Sequence, residues 1–368
     1  MDLELSDDQF DLRDNIRSVL EGACPPSIVR AIYEGDGTAD ELWSQMVELY
    51  WPALGVPEDA GGLGFGFVEV GLLAEELGRA AAPGPLLAVV SQYIPLLVEA
   101  GATERLGAAA AGEQIGALAW AEHGRWDSAS VEATATPAGD GWAIDGVKGA
   151  VLAAEYADVF AVVARSAEGV GAFLVDAADA VLEVPVVVDP GLGLADVTFS
   201  GAPATALLAP GDATDAALGR VAEQAVVAMA LHTVGACRRI FEVTLDYAKV
   251  REQYDRIIGS FQALKHRFAD MFLAVERANA VAYYAALAIA EDDPVRREAS
   301  HTAKAAVGDC QHLLAEDGLQ LHGGIGYTWE NDLHFLLKRA KSGGALCGST
   351  AAHRAELARV LGLVEATS

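Results

Sequence analysis

Helical periodicity stops near residue 119, short β-rich runs take over, and the helical period returns near residue 209. A chain with that order of textures builds an α+β protein whose strands are segregated in the middle, not an alternating βαβ sheet. Residues 3–118 read as helices, for example Asp8 to Leu20 and Phe67 to Leu77, separated by Pro25-Pro26, Pro52 and Pro83-Gly84-Pro85. The middle carries Trp142-Ala143-Ile144, Val159 to Val163 and Ala172 to Val175 between Gly/Asp turns. Beyond the Ala209-Pro210-Gly211-Asp212 turn, Leu264, Phe268, Phe272, Val275, Asn279 and Ala282 recur every three or four residues, as in the helices of an antiparallel bundle. The expected domains are therefore 1–118, all-α; 119–208, β; and 209–368, helical bundle.

At 368 residues and 52% hydrophobic composition the chain has core enough for two or three subdomains. A formal net charge of −28 repels phosphate backbones, so neither nucleic acid nor an anionic membrane surface is an expected partner. Four widely spaced cysteines without CxxC and eight histidines without HExxH point to reduced thiols in a cytoplasmic protein with no metal site. The first eight residues lack a basic or apolar run, so a secretory signal is not expected. Ala80 to Ala100, the most apolar stretch, is interrupted by Pro83, Pro85 and Pro95 and reads as buried helices and turns, not a membrane span.

Three strings are specific. Leu54-Gly55-Val56-Pro57-Glu58-Asp59-Ala60-Gly61-Gly62-Leu63-Gly64 is followed by Glu75-Glu76-Leu77-Gly78. The second runs from Arg251-Glu252-Gln253-Tyr254-Asp255-Arg256 to Phe261-Gln262, and the third is Leu319-Gln320-Leu321-His322-Gly323-Gly324-Ile325-Gly326-Tyr327. Taken alone, the first is a tight glycine turn, Arg251 is a candidate for local pairing with Asp255, and Gly323-Gly324 is a helix stop. Together, in this order and separation, they resemble the acyl-CoA dehydrogenase family.

The resemblance implies an N-terminal helical domain, a middle β-barrel or sandwich and a C-terminal four-helix bundle. It also implies that Arg251 and Gln253, with the motif aromatics Tyr254 and Phe261, reach the pyrophosphate of an FAD held mainly by a neighbouring subunit. Gln320, Gly323 and Gly324 carry over to the adenosine end, where backbone amides approach an anion only if side chains are absent. A planar guanidinium suits a diphosphate, and Asp255, where the family has glycine, places a repelling charge beside it.

Other family elements are eroded. The in-subunit flavin segment T-E-P-x-A-G-S-D reads Ala121-Glu122-His123-Gly124-Arg125-Trp126-Asp127, and K-x-W-I-T-N reads Lys148-Gly149-Ala150-Val151-Leu152-Ala153. In Y-E-G-T the catalytic glutamate is replaced by Cys347, and the family's alternative glutamate position falls on Ala225, so no catalytic residue is expected. Loss of a general base costs about 10²- to 10⁴-fold in rate. This pattern resembles the non-catalytic subunit of heterotetrameric α2β2 acyl-CoA dehydrogenases that shorten steroid side chains as CoA thioesters. It implies shared FAD, a homologous catalytic partner, an acyl-CoA substrate oxidised to its trans-2-enoyl product, and an electron-transfer flavoprotein. Two alternatives stay open: a self-sufficient homotetramer using Glu223, Glu122 or Cys347 as a displaced base, and a flavin-free scaffold. His312, His322 and His353 read as core or surface residues.

Overall fold

A computed structural model describes residues 4–364. The expected α+β order is present: helices, then a β-barrel, then a helical bundle. Helices α1 (Asp7–Ala23), α2 (Pro26–Glu34), α3 (Asp40–Glu48), α4 (Phe67–Arg79), α5 (Leu86–Ala88), α6 (Ile94–Glu99) and α7 (Thr103–Ala110) come first. Strands follow: β1 (Gly116–Ala119), β2 (Thr134–Ala138), β3 (Gly141–Val151), β4 (Val159–Ser166), β5 (Gly169–Asp176), β6 (Ala180–Glu183) and β7 (Ala195–Leu208). Then come α8 (Asp212–Val250), the two-residue strands β8 (Glu252–Gln253) and β9 (Arg256–Ile257), α9 (Gln262–Ala290), α10 (Arg296–His322), α11 (Leu333–Ala345) and α12 (Thr350–Val360).

Local chemistry sets several boundaries. Ser6 starts α1 with a capping box, its hydroxyl accepting from the Gln9 amide while the Gln9 side chain accepts from the Ser6 amide. Pro26 opens α2, and Gly35 closes it at φ +79°. The Ala80 to Ala100 stretch folds as buried helices and turns, and Pro95 does not break them. It sits in the first turn of α6, directly after a π-helical turn over Val89–Tyr93, where a missing N–H is cheap.

Compactness cuts the chain along other lines than texture does. One unit comprises Met1–Gly37, Gly71–Ala82 and Val226–Ser368; the other comprises Thr38–Val70 and Pro83–Ala225. In the second unit, strands β4-β2-β3-β7-β5 form a path that closes through β4–β5 pairing, which makes a barrel; β1 pairs with β4 and β6 with β7. Strand β4 is buried on both faces: Val159, Ala161 and Val163 pack into one core, Phe160, Val162 and Ala164 into the other. That two-sided burial explains why it reads as an unbroken apolar run, not an alternating one.

In the first unit α9 packs along α10, and Phe241 of α8 meets Phe268 and Phe272 of α9 at ring distances of 6.3 and 5.8 Å. Small residues let α8 approach its other neighbours: a Cβ on Gly318 would lie 2.7 Å from Ile240, and one on Gly343 would lie 2.2 Å from the Thr233 hydroxyl. Helix Gln262–Ala290 is long and apolar enough to cross a membrane by length and composition alone. Its contacts with α10 place it in the bundle. All four cysteines are buried free thiols.

Candidate functional site

The Arg251 string folds as a miniature hairpin directly after α8. Glu252 and Gln253 pair antiparallel with Ile257 and Arg256, and the two residues between, Tyr254 and Asp255, both lie at φ +56°. Positive φ at both central positions is the type I′ geometry, whose second place favours glycine. Asp255 therefore holds a left-handed backbone that costs a non-glycine residue on the order of 1 kcal/mol. Asp255→Gly is expected to raise stability by about 1 kcal/mol, read as a higher thermal midpoint; an unchanged midpoint would contradict the strain.

The hairpin projects its side chains outward. Arg251 is exposed and forms no ion pair among the described residues, so the local pairing with Asp255 is absent. Its backbone is fixed, the N–H donating to the Tyr247 carbonyl at 2.9 Å and the carbonyl accepting from Ile258 at 2.8 Å. The Gln253 amide turns back to the Glu252 carbonyl at 2.8 Å. Tyr254, 89% exposed, stands edge-on to Phe261, the residue that precedes α9, at 6.4 Å.

The third string ends α10. Gln320 is exposed in its last turn, and Gly323 leaves the helix at φ +62°. A Cβ built on Gly323 or Gly324 would meet nothing within 4 Å, so bare backbone faces open space there. His322 stacks on Tyr247 at 4.6 Å and 14°, which sets the C-terminal ends of α8 and α10 side by side. An exposed guanidinium and an uncovered glycine backbone on neighbouring helix ends suit the diphosphate-adenosine half of FAD.

The positions that the resemblance assigns to the base and to the flavin ring have the following surroundings. Cys347 is 3% exposed at φ +56°, and burial pushes its thiol up to about 11 in spite of the Lys304 ammonium. Burial of this kind works against a thiolate base at neutral pH. Ala225 and Val226 are buried apolar positions on α8, and Glu223 lies half-buried on the same helix. Glu122 is 4% exposed and fully engaged: Lys148 forms an ion pair with it, and the amides of Glu132 and Ala133 donate to it at 2.7 and 3.0 Å. Burial raises its pKa, but these donors outweigh burial and hold it below the usual carboxylate range. Those contacts give Glu122 a structural part in the barrel unit.

Where the resemblance calls for an aromatic and a threonine, Ala150 sits exposed at φ +48° on a β3 irregularity and Leu152 is buried. His123 and Gly124 make a second left-handed turn, and Trp126 packs on Trp120 at 5.4 Å. Among the described residues no group of three or more His, Cys, Asp or Glu could hold a metal ion.

Two features escaped the sequence reading. Tyr247 lies one helical turn before Arg251, a spacing that could have drawn attention to it. Half-buried His301 and buried His353, joined Nδ1 to Nδ1 at 2.9 Å, are separated by 52 residues, and their pairing carried no local signal.

Comparison with known proteins gives concordant matches. Residues 6–106 match the N-terminal domain of acyl-CoA dehydrogenases and residues 217–362 their C-terminal domain. The chain is 31% identical to acyl-CoA dehydrogenase IpdE2 of Mycobacterium tuberculosis, over 92% of each protein. A chain of the ChsE4-ChsE5 complex from Mycobacterium tuberculosis superposes with a TM-score of 0.88 at 27% identity, over 100% of both chains. A chain of a Tcur3481-Tcur3483 steroid ACAD variant superposes at 0.86, with 27% identity over 97% of this chain and 98% of that one.

Proposed function

The chain belongs to the acyl-CoA dehydrogenase family, whose members oxidise a CH–CH bond with FAD, and from that membership we propose that it is the non-catalytic subunit of a heteromeric enzyme. In this reading it completes an FAD site whose ring contacts and base come from a homologous partner. The substrate is an acyl-CoA with a bulky, steroid-like side chain, a class suggested by the named steroid relative. Electrons leave to an electron-transfer flavoprotein, the assembly is α2β2, and its place is the cytoplasm. The domain boundaries near 118 and 208 belong to the same reading.

Cys347 is the observation that carries it: a buried thiol, its pKa pushed up by burial, at the position where the resemblance calls for the glutamate that accepts the proton α to the thioester. FAD, when bound, supplies the hydride acceptor. This chain's part is to hold it. Arg251 gives a charge-assisted contact to the diphosphate, Gln253 and Gln320 give amides, and Gly323 and Gly324 leave no side chain in the way of its approach, although the Gly323 N–H itself is taken by the Gln320 and Leu319 carbonyls. Exposed apolar side chains are available for a partner to cover: Tyr254, Tyr327, Leu273 and Phe272 are 89, 75, 65 and 52% exposed, and aromatic residues are enriched at subunit contacts.

The test is flavin stoichiometry after co-expression with a homologous subunit. One FAD per two chains is expected, with the isolated chain colourless; one FAD per chain, or a yellow isolated chain that bleaches with an acyl-CoA, would refute the reading. In the assembled complex Arg251→Ala is expected to weaken FAD binding roughly ten- to hundredfold, the worth of about 1.5 to 3 kcal/mol for a charged hydrogen bond. No change would favour a flavin-free scaffold.

A further inference from the structure

We infer that the stacked pair Tyr247 and His322 is a positioning device for the cofactor half-site, fixing the separation between the Arg251 hairpin and the Gly323-Gly324 backbone. The inference rests on the reading above, because it concerns how those two loops act as one surface. Neither residue touches the cofactor in this scheme.

The geometry is built from below. A Cβ on Gly318 would lie 2.7 Å from Ile240 and 3.6 Å from the Thr244 hydroxyl, so α8 and α10 approach closely one turn before the end of α10 and about two to three turns before the end of α8. The Gly318 carbonyl then accepts from His322 Nδ1 at 2.8 Å. A carbonyl only accepts, so that nitrogen carries the proton, and the imidazole plane is fixed relative to its own helix. Tyr247 lies 14° from parallel on that plane, and its carbonyl receives the Arg251 N–H at 2.9 Å. The chain thus runs from Gly323, through His322 and Tyr247, to Arg251 without a flexible link.

A second observation says why the stack matters. A half-open cavity of about 520 Å³ lies in this unit, lined by Tyr247 and His322 together with Val243, Arg239, Leu333 and Phe335. On that side no packed core backs the two rings. Truncating either ring would enlarge the cavity, and the helix ends would lose the contact that sets their spacing. A diphosphate-adenosine spans both loops, so a spacing that fluctuates costs affinity even with every contact residue intact.

The experiment uses the complex co-expressed with its homologous subunit, with FAD removed and titrated back by flavin fluorescence. Tyr247→Leu and His322→Leu, which keep bulk but lose the stacked plane, are each expected to raise the FAD Kd roughly tenfold. The double variant is expected to be no worse than either single, because the two act as one unit. Tyr247→Phe should bind like the parent. The FAD Kd is read beside the thermal midpoint of each variant: a Kd that rises only in proportion to lost stability would overturn the positioning role. If the leucine variants keep the parent Kd while Arg251→Ala does not, the positioning role is overturned and the shared site stands. If Arg251→Ala also keeps the parent Kd, both fall together.

Discussion

Gly78→Val is expected to leave little folded protein. Helices α4 and α8 cross in backbone contact: a Cβ on Gly78 would lie 1.8 Å from the His232 carbonyl oxygen, and one on Gly235 would lie 1.8 Å from the Glu75 carbonyl oxygen. Each helix offers a glycine to the other's main chain. No rotamer change relieves a clash with a carbonyl, so the helices must move apart. That movement would open the packing around Glu75, 6% exposed, and Glu76, 1% exposed, whose charges are compensated at this crossing by Arg238 at 3.2 Å and Arg17 at 2.6 Å. Buried carboxylates that lose their cations are costly in addition to the strain. A loss of about 4 kcal/mol or more is expected, against a usual total of about 5 to 15. Gly78→Ala should already cost much of that, because the obstruction is at Cβ. Gly22→Ala is the control: it lies in α1 with nothing within 4 Å, and alanine there should stabilise by roughly 0.5 to 1 kcal/mol. Thermal unfolding separates the cases, and a Gly78→Ala midpoint equal to the parent would refute the close crossing.

That crossing also shows what a sequence does and does not disclose. Glu75-Glu76-Leu77-Gly78 is recognisable as a string, yet nothing local says which backbone Gly78 faces, since His232 is 154 residues away. Signals with short range are legible. The 3.6-residue period finds α1, α4 and α9, and β-branched runs find β3, β4 and β5, because both reflect burial of one element's own face. Gly62 reads as part of a tight turn, and a Cβ there would meet the Val56 carbonyl at 2.0 Å, six residues back. Pro95 says a helix boundary is near but not which one, since its place in a first turn follows from the preceding π-helical turn. At the candidate site, residue identity announces the missing glutamate. It does not announce that Cys347 is buried, that Asp255 is left-handed, or that Tyr247 and His322 stack, all of which depend on tertiary packing.

Mild acid is expected to loosen the end of the bundle through His301 and His353. His353 Nε2 contacts the Cys347 carbonyl at 2.8 Å, so it carries the proton and donates; its Nδ1 is then the acceptor, and His301 Nδ1–H the donor, of the 2.9 Å bond between them. Both rings are therefore held neutral, and burial is the main cause, drawing each from 6.5 down to about 4. After burial, Arg297 opposes protonation of His301; at His353 the Cys347 carbonyl favours protonation, His301 and Lys304 oppose it, and Glu356 favours it least. With the folded value depressed below the unfolded one, stability is fully present above about 6.5 and is lost as pH falls toward 4. Between pH 7 and 5 the two groups together should cost on the order of 3 kcal/mol. The loss should fall first on α12, because His353 is its one buried residue. Hydrogen exchange in α12 should accelerate before the rest of the bundle. His232, buried and also depressed, contributes to any acid loss, so the comparison is with a His301→Gln, His353→Gln double variant, whose amides do not titrate. That variant should show a flatter midpoint between pH 7 and 5 than the parent. Parallel curves would assign the acid sensitivity elsewhere and leave the histidine pair a neutral packing contact.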